Sequence, residues 1–139
     1  MDPSQQGWFR TAILLGVVYL AIGITFGAVA GSSVSNQMRV AWRLAAWGVS
    51  AAAFAAHVAY ELGRLRNSPR TTAWHASVAV GLGAFGLAVV ANLHALSATA
   101  GNQPRLALAL VAWPVLLGVP AFLVAFAATT VIALARRSD

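Results

Sequence analysis

The 139-residue chain contains no cysteine. Disulfides, thiolate metal centres, cysteine nucleophiles and thioether-linked haem are therefore excluded. Lysine is also missing, and all nine basic residues are arginine. A Schiff base to pyridoxal phosphate or retinal has no side-chain amine to form on. Acids are almost as scarce: Asp2, Glu61 and Asp139 are the only ones. No pair of carboxylates is placed for hydrolysis, and no nucleophile–base arrangement or phosphate loop is visible. The sequence thus points away from an enzyme.

Charge is sparse as well, at 9% of residues against 60% hydrophobic. What fills the chain instead is four uncharged runs, 11–38, 44–60, 71–104 and 106–135. A helix needs about 20 apolar residues to cross the hydrocarbon core of a bilayer. The expected fold is all-α: an integral membrane four-helix transmembrane bundle, one domain over 1–139. Its spans are expected at about 11–31, 40–62, 73–96 and 106–135.

The net charge of +6 resembles a nucleic-acid signal. In so apolar a chain it is better explained by loop arginines that set orientation and meet anionic head groups. With four crossings, Arg10, Arg64, Arg66, Arg70, Arg136 and Arg137 share one side, and Arg39, Arg43 and Arg105 the other. The richer side should be cytoplasmic, which places both termini there. Arginine-only, alanine-rich usage suggests a GC-rich bacterial genome and hence a bacterial cytoplasmic (inner) membrane. Trp8, Trp42, Trp74 and Tyr60 fall near the expected interfaces, where amphipathic aromatics concentrate. A rival reading of the first run is a cleaved signal segment, since Ala28-Val29-Ala30 precedes Gly31. The single preceding arginine and the length of the apolar run argue against it.

The chain aligns with itself at an offset of 66. Trp8 meets Trp74, Asn36-Gln37-x-Arg39 meets Asn102-Gln103-x-Arg105, Trp47 meets Trp113 and Arg70 meets Arg136. This reads as two tandem helical hairpins, about 8–70 and 74–137, from one ancestral unit. A hairpin crosses twice, so both copies keep one orientation, and the pseudo-twofold axis should follow the membrane normal.

Lipid gives helices no hydrophobic reason to associate, so close backbone approach must help. Gly23, Gly27 and Gly31 form a GxxxGxxxG row, expected to make a tight helix contact inside the bundle or between protomers. Gly81, Gly83 and Gly86 match GxGxxG. With no preceding strand or following βαβ unit, they are read as helix packing. Pro114 and Pro120 interrupt the fourth run and should bend it.

Polar residues cost most in lipid. Arg43, Trp47, Ser50, Phe54, His57, Glu61 and Arg64 recur at spacings of four and three, which puts them on one face of the second helix. Glu61 needs a partner, and the candidates are His57, Arg64, Arg66 and His75. Counting from the hairpin turn levels Glu61 with His75. A second group, Arg43 with Asn92 and His94, is expected at the other end. Asn36, Arg39, Asn102 and Arg105 form a candidate outer-face anion site. Alternatively, the asparagines cap helices while the arginines anchor at head groups.

The leading expectation is a small membrane protein without a catalytic site: a helix-packing accessory subunit, or a self-associating bundle. Its partners would be membrane lipids and either a second copy or another membrane subunit, not nucleic acid. The alternative is a proton-linked transporter or channel using His57 and Glu61. A further alternative is a b-type haem electron-transfer protein, although no two histidines are well matched in depth. No H-x-x-x-H or E-x-x-H spacing marks a metal site. No cofactor is expected.

Overall fold

The computed structural model describes residues 3–97 and 103–138. Four helices follow in chain order: α1 (Pro3–Gly31), α2 (Asn36–Gly63), α3 (Pro69–Ser97) and α4 (Gln103–Ser138). They run beyond the apolar runs at most ends. In lipid every backbone N–H and C=O must be satisfied within the segment, and continuing the helix into the head-group layer does this.

The helix starts are written locally. Ser35 takes an extended conformation, and its side chain accepts a hydrogen bond from the Met38 N–H. Asn36, expected as the cap, is instead the first helical residue; the shorter serine hydroxyl one position earlier reaches the orphan N–H. Before α3, the Ser68 hydroxyl accepts from the Thr71 N–H at 3.2 Å. Pro69 then occupies the first helical position, where a missing N–H costs nothing.

Helix directions follow from the contacts. Trp8 meets His75, and a Cβ on Gly23 would meet Leu87. α1 and α3 therefore lie side by side and parallel. Ser77 bonds Gly118, and Gly81 sits nearest the Pro114 carbonyl, so α4 runs antiparallel to α3. α3 is central and packs against all three other helices, most extensively against α4 and then α1.

The interior holds small residues and the exterior large ones. Ala12, Ala30, Ala73, Ala76, Ala79, Ala84, Ala88 and Ala125 are buried, whereas Leu14, Leu44, Leu108, Leu116 and Val131 are exposed. The largest fully buried side chains are Glu61, Thr72 and Thr129. A water-soluble bundle shows the reverse. In lipid, small side chains let backbones approach and large apolar ones face the acyl chains.

The closest approach joins α1 and α3. A Cβ added to Gly83 would lie 2.6 Å from the Tyr19 Cβ, and one on Gly16 would lie 2.9 Å from the Leu82 Cβ. Gly83 and Gly86 face α1 while Gly81 faces α4, so the GxGxxG glycines serve helix packing. α4 remains one helix through Pro114 and Pro120. Between the prolines, the Ser77 hydroxyl donates to the Gly118 carbonyl at 2.8 Å.

Gly7–Gly31, Pro69–Leu96 and Ala107–Ala135 are long and apolar enough to cross a membrane. α2 has the length, at 28 residues, but carries Arg39, Arg43, His57 and Glu61. Because α1 and α3 are parallel, α2 must travel back along the bundle between them. It does so loosely. His57, Val58 and Glu61 are its buried residues, all near its C-terminal end. There Val58 joins Ala73, Ala76 and Ala125 in a small apolar cluster.

Candidate functional site

The site forms where α2 ends. Arg64 and Leu65 both donate their N–H to the Tyr60 carbonyl. Arg66 then adopts a left-handed conformation, φ 53°. This reverses the chain, and the Asn67 N–H reaches the Glu61 carbonyl at 3.2 Å. The Asn67 side-chain amide also donates to Glu61 Oε2. Asn67 therefore grips Glu61 through its backbone and its side chain.

Glu61 is 1% exposed. His75, in the second turn of α3, places Nδ1 at 3.1 Å from Oε1 and 3.0 Å from Oε2. His57 Nε2 lies 3.5 Å from Oε1, one turn back on α2. At that separation neither His57 nitrogen makes a hydrogen bond, although the residue is 5% exposed. Trp8 of α1 stacks on the His75 ring, with planes 2° apart and centroids at 4.9 Å. Three helices and one loop thus converge on a single carboxylate. The start of α3 adds the positive end of a helix dipole beside it.

The expected His57, Glu61 and His75 grouping is brought together. Arg64 and Arg66 are exposed, and Glu61 is paired with His75 and Asn67 rather than with an arginine. The residues of the second expected group lie on α2 and α3. Arg43 lines a groove against α1, and the Asn92 amide donates to the Ala88 carbonyl of its own helix at 2.8 Å. His94 is exposed in the last turn of α3. Of the candidate anion site, Asn36 and Arg39 are exposed at the start of α2. Asn102 and the Arg105 side chain lie outside the described residues. In the glycine row, Gly23 backs onto Leu87, whereas a Cβ on Gly27 or Gly31 would meet nothing within 4 Å.

Three neighbours of Glu61 or its surroundings were not anticipated. Asn67 was legible only as a turn residue. Trp8 had a usable signal: the 66-residue offset, applied to parallel helices, levels it with Trp74 and so with His75. Thr72 is fully buried with its hydroxyl unpartnered, and no sequence signal marks it.

Chemically, the cluster can hold a proton between carboxylate and imidazole, or tie helices together. The Glu61 carboxylate occupies the space between the two imidazoles, so a haem bridging them would have to displace it. Among the described residues no group of three side chains is arranged to hold a metal ion. Two grooves flank the bundle. One, about 460 Å³, is lined by Arg66, Asn67, Pro69 and Ile132. The other, about 500 Å³, lies between α1 and the outer half of α2. Glu61 lines neither.

Fold and site together define a class: an all-α helical bundle with membrane-length helices, closed at one end by a buried polar clasp. Beyond that class, the chain matches no family model, no curated protein and no solved structure.

Proposed function

We propose that this protein is a helix-packing membrane subunit whose α2 is completed by a neighbouring chain. The observation that carries the reading is the thin packing of α2, of which only His57, Val58 and Glu61 are buried. Its N-terminal half touches α1, where Phe26 meets Trp42 with ring centroids 6.0 Å apart, and leaves another face open. Gly48, Ala52, Ala55 and Ala59 recur at spacings of four, three and four and are all exposed. Such a small-residue face allows a second helix to approach closely in lipid. The clasp at Glu61 fits the same role: its carboxylate is 1% exposed and bonded by Asn67 and His75, which fixes the C-terminal end of α2.

In this reading α2 crosses the membrane with the other helices, the two hairpins are copies, and the clasp end faces the cytoplasm of a bacterium. The side-by-side placement of α1 and α3, with Gly16 against Leu82, supports the duplication. The absence of native cysteine makes the test clean. Gly48→Cys should give an oxidative cross-link in native membranes, to a second copy or to a different subunit. Leu116→Cys, on the exposed side of α4, should give none. If Gly48→Cys stays monomeric and unlinked, the reading fails.

A second reading has one specific observation behind it. His57 is buried beside Glu61 with neither nitrogen bonded, an arrangement suited to accepting a proton from the Glu61 carboxyl group when that group is protonated. Proton flux into proteoliposomes, abolished by Glu61→Gln, would favour this transporter role over the packing role.

A further inference from the structure

The groove between α1 and the outer half of α2 is unusual in composition. Its floor is the backbone of Gly27 and Gly31, and its walls include Phe26 and Trp47. Arg39 and Arg43, one turn apart on α2, stand along it. Among the described residues none fills it at the glycines, since a Cβ on Gly27 or Gly31 would meet no atom within 4 Å. Its volume of about 500 Å³ falls in the range of roughly 300–1,000 Å³ typical of small-ligand sites.

No acid among the described residues balances this charge. Of the three acids in the sequence, Glu61 is held by Asn67 and His75 at the opposite end of the bundle. Asp2 and Asp139 lie outside the described residues. A second copy docked symmetrically on this groove would bring arginine against arginine. The occupant that answers both the charge and the apolar floor is an anionic amphiphile.

We propose that this groove seats an anionic phospholipid. The head-group phosphate is held by Arg39 and Arg43, and an acyl chain lies along Gly27 and Gly31 between Phe26 and Trp47. The glycines matter because a side chain on either would occupy the space the acyl chain needs. The arginines reach the head-group layer with their aliphatic stems along the groove, as long cationic side chains do near helix ends.

The test is native mass spectrometry of the full chain released from vesicles of phosphatidylglycerol and phosphatidylcholine in equal amounts. Retention of phosphatidylglycerol should be favoured on the order of tenfold, as two arginines near an anionic head group predict. The Arg39→Gln, Arg43→Gln double variant should lose that preference. Gly27→Leu keeps both arginines but fills the floor, and should also lose the retained lipid. Arg64→Gln with Arg70→Gln, at the other end of the bundle, should leave the preference unchanged. Far-UV circular dichroism of each variant reports whether it has folded. The proposal is overturned by any of four results: equal retention of the two lipids, a preference that survives Gly27→Leu, an equal loss from the Arg64 and Arg70 pair, or a lipid-free dimer that Gly27→Leu dissociates.

Discussion

Asn67 holds Glu61 from both ends of that residue. Its backbone N–H meets the Glu61 carbonyl at 3.2 Å, and its side-chain amide meets the carboxylate. The connection between α2 and α3 is thus locked onto the one acid inside the bundle. His75, braced flat against Trp8, supplies the carboxylate's other close partner.

Removing the Asn67 amide leaves a buried acceptor short of a donor. Asn67→Ala should lower stability by about 1–3 kcal/mol, read as a shift in the midpoint of SDS-induced unfolding by circular dichroism. A double-mutant cycle with Glu61→Gln should show coupling between the two sites. Additive effects would mean that the side-chain bond contributes nothing.

The glycines separate into two classes. Gly83→Ala forces a Cβ to 2.6 Å from the Tyr19 Cβ and 3.2 Å from the Gly16 carbonyl. The α1–α3 contact must open, at a cost of about 1–3 kcal/mol. Gly27→Ala meets nothing and should change stability by no more than about 0.5 kcal/mol. Equal effects from the two would place the tight crossing elsewhere.

Arg66 sits at φ 53°, a conformation that costs a residue with a Cβ about 1–2 kcal/mol. Arg66→Gly should therefore be neutral or stabilising. Arg66→Val should be clearly destabilising, because a β-branched side chain fits that region worst. Thermal unfolding of the two variants in detergent distinguishes these outcomes.

The α2 start separates two adjacent polar residues. Ser35→Ala removes the hydroxyl that the Met38 N–H uses at 3.2 Å and should cost about 1 kcal/mol. Asn36→Ala, already inside the helix, should cost far less. Amide exchange at Met38, measured by deuterium uptake, should rise in the first variant and not in the second.

Much of the fold was legible because lipid makes composition decisive. Uncharged runs of this length select helices over the shorter, alternating strands of a closed barrel when backbone groups have no water to bond. The meeting of Glu61 with His75 was legible too, because a hairpin turn sets depth on both sides. The cap at Ser35 was missed by one residue, because serine and asparagine cap about equally well and the extended backbone at Ser35 decides which of the two lies outside the helix. Arg64 and Arg66 were reasonable partners for Glu61 by distance along the chain. The left-handed turn at Arg66 directs the chain so that Asn67, not an arginine, arrives at the carboxylate.

Sequence alone therefore determined the helical class, the number of helices and the levelling of Glu61 with His75, because each depends on counting along the chain. Tertiary structure alone decided which helix faces meet. That choice rests on where Gly16 and Gly83 let two backbones touch, on Trp8 covering His75, and on α2 burying only His57, Val58 and Glu61. Rotation about a helix axis leaves hydropathy unchanged, so no count of apolar residues could have selected it.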